Sequence, residues 1–165
     1  MGEPAKRQFA LDVNVLLDRA NNEHFAVSFL RVFTRRRYSF FATHTVLPET
    51  ELLTESPDLN RAKAAIVSLE NLRTWGIPPL DVPRLKRDYC FRFAEDLIRK
   101  GWLPEDEKNH AVILAEAAVN EIPFLVTSDR DLLDISLNHP LAELKGHGLY
   151  QTLPIRPKHV LERLG

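Results

Sequence analysis

The chain has 165 residues, enough for one compact domain that buries roughly 70% of its unfolded surface and too few for two comfortable ones. Its 44% hydrophobic and 27% charged residues exclude the disordered, collagenous and disulfide-rich classes. With 22 Lys and Arg against 23 Asp and Glu the formal charge is −1, so a nucleic-acid or membrane partner would need a local patch rather than a global field.

Gln8 to Asp12 reads as a short buried strand that ends on a carboxylate and feeds a helix through Asn14 and Val15-Leu16-Leu17. Phe25, Phe29, Val32 and Phe33 recur at helical spacing and predict an amphipathic helix over 23–37, with its aromatic face in the core. Tyr38 to Thr43 is a second strand, and Thr45 to Thr54 a short helix carrying Glu49 and Glu51. Ser56-Pro57-Asp58 starts a helix, with Ser as N-cap and Leu59, Ala62, Ile66 and Leu69 as its inner face. Gly76 stops it, and the Pro-containing stretch 77–82 can only be an edge strand. The row Leu85, Tyr89, Phe93, Leu97 predicts a helix over 83–100 that ends at Gly101. Residues 105–121 form the most apolar helix, expected to be buried between other elements. Pro123 to Thr127 is a strand leading to Ser128-Asp129-Arg130-Asp131, 138–148 a Gly-bearing loop, Leu149 to Leu153 a last strand and Pro157 to Leu164 a terminal helix. Alternating strands and helices of this length predict a mostly parallel sheet with helices on both faces.

Cys90 is the lone cysteine, so an intramolecular disulfide is excluded, and with no Cys/His pair at finger spacing a structural zinc is not indicated. No signal core precedes the first strand and no apolar run approaches the ~20 residues that span a bilayer, so a cytoplasmic protein without a membrane partner is expected.

In an open parallel sheet, ligands bind beyond the carboxyl ends of the strands. Asp12 and Asp129 each follow a strand and would share that rim if their strands are neighbours, with Glu49 joining from the helix after the second strand. Two carboxylates about 4 Å apart repel by about 4 kcal/mol at an effective dielectric near 20, so such a cluster calls for a proton or a cation. Oxygen ligands point to Mg²⁺ or Mn²⁺. Each acid alone is better explained as a helix cap, a turn residue or a solvated charge. Their joint placement favours a site.

The segments Leu11-Asp12-Val13-Asn14, Thr43-His44-Thr45-Val46-Leu47-Pro48-Glu49, Ile113-Leu114-Ala115-Glu116-Ala117 and Leu125-Val126-Thr127-Ser128-Asp129-Arg130-Asp131, in this order, resemble the PIN-domain family over nearly the whole chain. The resemblance implies an α/β/α sandwich over 1–165 and metal-dependent hydrolysis of single-stranded RNA that leaves 5′-phosphate and 3′-hydroxyl ends. It also implies kinship with VapC-type toxins, hence an antitoxin protein as partner; a homodimer is expected. By the resemblance Asp12, Glu49 and Asp129 are the catalytic metal ligands, Asp131 is a second acid, and Asn14, Thr127 and Ser128 support them.

His110 stands where the family has its third acid. Three readings are open: His110 ligates the metal, which favours Mn²⁺ or Zn²⁺ over Mg²⁺; Asp106 or Glu107 reaches the site or holds His110; or the site is weakened and the protein binds RNA without cutting it. Two basic groups, Arg31, Arg35, Arg36 and Arg37, and Arg84, Lys86, Arg87 and Arg92, are either solvated faces or an RNA track.

Overall fold

The computed structural model describes residues 6–134 and 138–165. In chain order it runs β1 (Gln8–Leu11), α1 (Val13–Ala20), α2 (His24–Arg35), β2 (Ser39–Thr43), α3 (Val46–Leu53), α4 (Leu59–Asn71), β3 (Pro79–Leu80) and α5 (Arg84–Arg99). A 3-10 turn (Glu105–Glu107) then leads to α6 (Lys108–Val119), β4 (Phe124–Val126), α7 (Arg130–Asp134), α8 (Asn138–Gly146), β5 (Leu153–Ile155) and α9 (Pro157–Leu164). Among the described residues five strands form one sheet, all parallel, in the order β3-β2-β1-β4-β5. Helices α1 to α4 pack with one another and with α9, while α5, α6 and α8 form the other layer, which gives the expected three-layer α/β/α sandwich.

A parallel strand covered on both faces must be apolar throughout, and β1 meets this with Phe9, Ala10 and Leu11 fully buried. Phe9 is the centre of an aromatic cluster, with ring centroids 4.9–6.1 Å from Phe29, Phe33, Tyr38, Phe40 and Phe124. Phe25, expected in that core, is instead exposed beneath Lys158. The connections after β1 and β2 step one way across the sheet and β4 and β5 lie on the other side of β1, so the strand order reverses between β1 and β4. The crevice of such a sheet opens there, at the carboxyl ends.

Several expectations shift. The α5 row of four-residue steps drifts by about 40° per step on a 3.6-residue helix, so Leu85 (79% exposed) and Tyr89 leave the core that Cys90, Phe93, Ala94 and Leu97 occupy. On α4 small residues face inward, Ala62, Ala64, Ala65 and Ser68, while Leu59 and Ile66 are exposed. Its N-cap is Asp58, whose carboxylate accepts from the amides of Asn60 and Arg61, and Ser56 only accepts from the Asp58 amide. Most of the expected loop 138–148 is α8, ended by Gly148 at φ +72° and a Leu149 amide to Leu144 carbonyl bond. Leu149 is thereby engaged by the helix end, and the last strand begins at Leu153.

Cys90 is buried, and burial, then the charge of Glu116, push its thiol up to about 12. Cys90 is expected to resist a thiol-specific reagent in the folded protein at pH 8 and to react fully once unfolded. Rapid labelling of the native chain would contradict that burial.

Candidate metal centre

The loops after β1 and β4 meet at the reversal point. Asp12 is the N-cap of α1 and is fully buried; its Oδ1 accepts from the Val13 amide at 2.8 Å and its Oδ2 from the Thr127 hydroxyl at 2.8 Å. Asn14, one residue into α1, donates to Thr127 Oγ1 and Asp12 Oδ2, and its own Oδ1 accepts from the Ser128 amide at 2.9 Å. The Thr127 hydroxyl in turn accepts from the Asp129 amide. These bonds lock the two strand ends together and fix both aspartates. Ser128 does not touch Asp12; its hydroxyl lies 3.5 Å from Asp18, whose carboxyl burial, and the charge of Glu23, push up.

His110, in the first turn of α6, lies between the two aspartates. Its Nδ1 is 2.8 Å from Asp12 Oδ2, and its Nε2 is 3.1 Å from Asp129 Oδ2 and 3.6 Å from Glu107 Oε2. Donation from both ring nitrogens requires an imidazolium. Burial pulls its pKa down, but the hydrogen bond to Asp12 and the charges of Asp12, Asp129 and Glu107 outweigh burial and raise it to about 9. Glu107 faces Asp129, and two acids so close share a proton. Glu107 is pushed up to about 8 by its hydrogen bond to Asp129, by burial and by the Asp129 charge. Burial works against ionised Asp129, yet the bond to Glu107, the His110 charge and the amides of Leu132 and Asp131 hold it below the usual range. Asp129 also accepts from the Leu132 amide as the cap of α7, so its helix-cap and cluster roles coexist.

These shifts have a sign. A histidine raised from 6.5 to about 9 adds stability that is complete below 6.5 and lost through 9, and a carboxyl raised from 4.5 to about 8 adds stability that is lost between those values. Depressed Asp129 works the other way only in acid, where its contribution is lost as pH falls. Metal-free protein is therefore expected to unfold at progressively lower temperature from pH 6 to 9, with a shallower dependence in His110→Asn. Identical pH profiles for the two proteins would refute this electrostatic picture.

The remaining site expectations divide. Glu49 lines the same cleft as Glu107, His110 and Asp129 and accepts from the Asn109 amide group, whereas Glu51 is exposed. Asp106 is exposed, because the tight turn over 105–107 places Glu107, three residues before His110, on the cleft face instead. Asp131 is also exposed and acts on Glu107 only through its charge. Asp12 is absent from the cleft wall and meets it through His110.

Arg36 and Arg37 run directly into the start of β2, with Arg31 and Arg35 in the last two turns of α2. In a parallel sheet the strand starts share one edge, so this group lies opposite the acid rim and does not line the cleft. Arg84 is exposed at the start of α5; Arg87 is half-buried against His44 Nε2 at 3.2 Å, and His44 Nδ1 meets Asp81 at 3.2 Å.

Two groupings were not foreseen. Glu116 is buried and accepts from the Thr43 hydroxyl and from both the amide and hydroxyl of Thr45, which pins the loop that carries Glu49 to α6. Its signal was present as the sole acid in an otherwise apolar helix interior. His147 sits with Asp96 at 2.9 Å and Glu143 at 3.7 Å, and Lys100 pairs with Glu143.

No family model and no curated protein matches the chain. A chain in the crystal structure of VapBC2 from Rickettsia felis bound to a DNA fragment from their promoter is similar to it, with a TM-score of 0.60 at 15% identity over 90% of this chain and 98% of that one. At that identity the likeness shows the fold. Among the described residues no helix is long and apolar enough to cross a membrane.

Proposed function

We propose that the chain is a divalent-metal-dependent endoribonuclease of the PIN type, acting on single-stranded RNA as the toxin of a toxin–antitoxin pair. The observation that carries this reading is the convergence of Glu107, His110 and Asp129, whose ligand atoms lie within 4.8 Å of one another at the carboxyl end of the sheet's reversal point. The donor set fits a cation. Among the described residues Glu107 Oε2 is buried without a hydrogen-bond partner, and crowded carboxylates bind a positive charge in place of the proton they share. Glu107, His110 and Asp129 would hold Mg²⁺ or Mn²⁺, with Glu49 on the wall of the same cleft and Asp12 behind His110. The imidazole among oxygen ligands favours Mn²⁺. A cation bound there supplies positive charge for the scissile phosphate and acidifies water for the attack. Asp12 and Thr127 fix the orientation of His110 and Asp129, and Asn14 ties the two loops together. The likeness in fold to a VapBC2 chain supports the toxin–antitoxin part of the reading.

Purified protein incubated with labelled single-stranded RNA should cut it in Mn²⁺ and leave it intact in EDTA, with 5′-phosphate product ends. Persistence of cutting in EDTA would overturn the reading. A second reading, an RNA-binding or partner-docking module that does not cut, is favoured by the sealing of Asp12 behind a cationic His110. His110→Asp separates the two. It completes an all-oxygen set and is expected to shift cleavage from Mn²⁺ toward Mg²⁺. Lack of cleavage by both proteins in either metal would support the second reading.

A further inference from the structure

Arg61 occupies the first turn of α4, where Asp58 already caps the amides of Asn60 and Arg61 and which holds no acidic residue. A cation at a helix N-terminus opposes the macrodipole, so helix stability does not account for this residue. A residue that breaks a local rule without local gain points to function. Among the described residues its guanidinium has no ion pair and no hydrogen bond, and it is the one Lys or Arg on the wall of the cleft that also holds Glu49, Glu107, His110 and Asp129. The carboxylates of Glu49, Glu107 and Asp129 repel a phosphodiester, so an anion entering the cleft needs a positively charged donor there. The planar fork of a guanidinium meets two phosphate oxygens at once, which a lysine cannot do. The arginines of the two basic groups do not line this cleft: Arg87 is engaged by His44, Arg31 to Arg37 lie on the opposite edge of the sheet, and Arg84 and Arg92 are absent from its wall.

We propose that Arg61 is the phosphate-binding residue of the cleft, gripping the RNA backbone beside the acidic cluster; this rests on the nuclease reading above and names its anion contact. The test measures binding of a fluorescent single-stranded oligoribonucleotide by anisotropy over a salt series, with Ca²⁺ as the divalent ion, alongside cleavage in Mn²⁺ and thermal unfolding. Arg61→Gln is expected to weaken binding about tenfold or more, as loss of a charged hydrogen bond does. It should also flatten the log–log salt dependence by about 0.7, one phosphate contact on a single strand. Its unfolding temperature should hold or rise, because a misplaced cation has left the helix start. Arg61→Lys should keep the salt slope and lose part of the affinity. Wild-type affinity and slope in Arg61→Gln, in a protein whose wild type binds and cuts RNA, would overturn the Arg61 assignment alone. A wild type that neither binds nor cuts RNA would overturn the nuclease reading and this proposal with it.

Discussion

Asp129→Asn should lower the rate of RNA cleavage in saturating Mn²⁺ by about a hundredfold or more, the scale on which losing a group that organises transition-state charge is felt. The substitution is chosen for what it spares. Asp129 uses Oδ1 to cap α7 through the Leu132 amide, and asparagine keeps an oxygen there. The Asp129 amide still donates to Thr127, so the loop keeps its anchor. What goes is the charge facing His110 Nε2 and Glu107. Stability should fall by no more than the ion pair with His110 contributes while activity collapses, and Mn²⁺ should bind more weakly. Equal cleavage by variant and wild type would remove Asp129 from the site.

The largest effect on stability is expected at Phe9. Its ring is fully buried and touches five other aromatic rings, contributed by α2, the turn before β2, β2 itself and β4. Phe9→Ala removes the transfer energy of the ring and leaves a cavity that stiff aromatic neighbours cannot fill, at a cost of about 3–5 kcal/mol. For a chain of this length that lowers the unfolding temperature by about 10 °C or more. Urea unfolding of Phe9→Ala and Phe9→Leu measures it, with leucine expected to recover part of the loss. A loss below about 1 kcal/mol in Phe9→Ala would show that the cluster is not the keystone of the sheet.

What was legible in the sequence follows periodicity. Continuous apolar runs announced β1 and β4 because both faces of a central parallel strand are covered, and the acids closing them fell on the rim. Element ends were harder to read. Leu149 is apolar and near a strand, but it serves the end of α8, a contact with Leu144 that only chain geometry reveals. The inward faces of α4 and α5 were misjudged where large residues were preferred over small ones and four-residue steps were followed past their drift. At the site, sequence placed Asp12, Glu49 and Asp129 on one rim and singled out His110. It could not tell that Glu107 rather than Asp106 faces inward, because that depends on a single tight turn, nor that Asp12 lies behind the imidazole. Arg61 gave no signal beyond an unfavourable position on its helix.

If these acids and His110 form a divalent-cation site, Mn²⁺ must stabilise the fold, which a titration followed by thermal unfolding measures. A cation at a hundred times its dissociation constant stabilises by about 2.7 kcal/mol, which corresponds to a rise of about 5–10 °C. The rise should saturate, should be larger at pH 8 than at pH 6 because the metal competes with the protons on His110 and Glu107, and should fall sharply in Asp129→Asn. An unfolding temperature unmoved by Mn²⁺ at either pH, or a rise of equal size in Asp129→Asn, would contradict such a site.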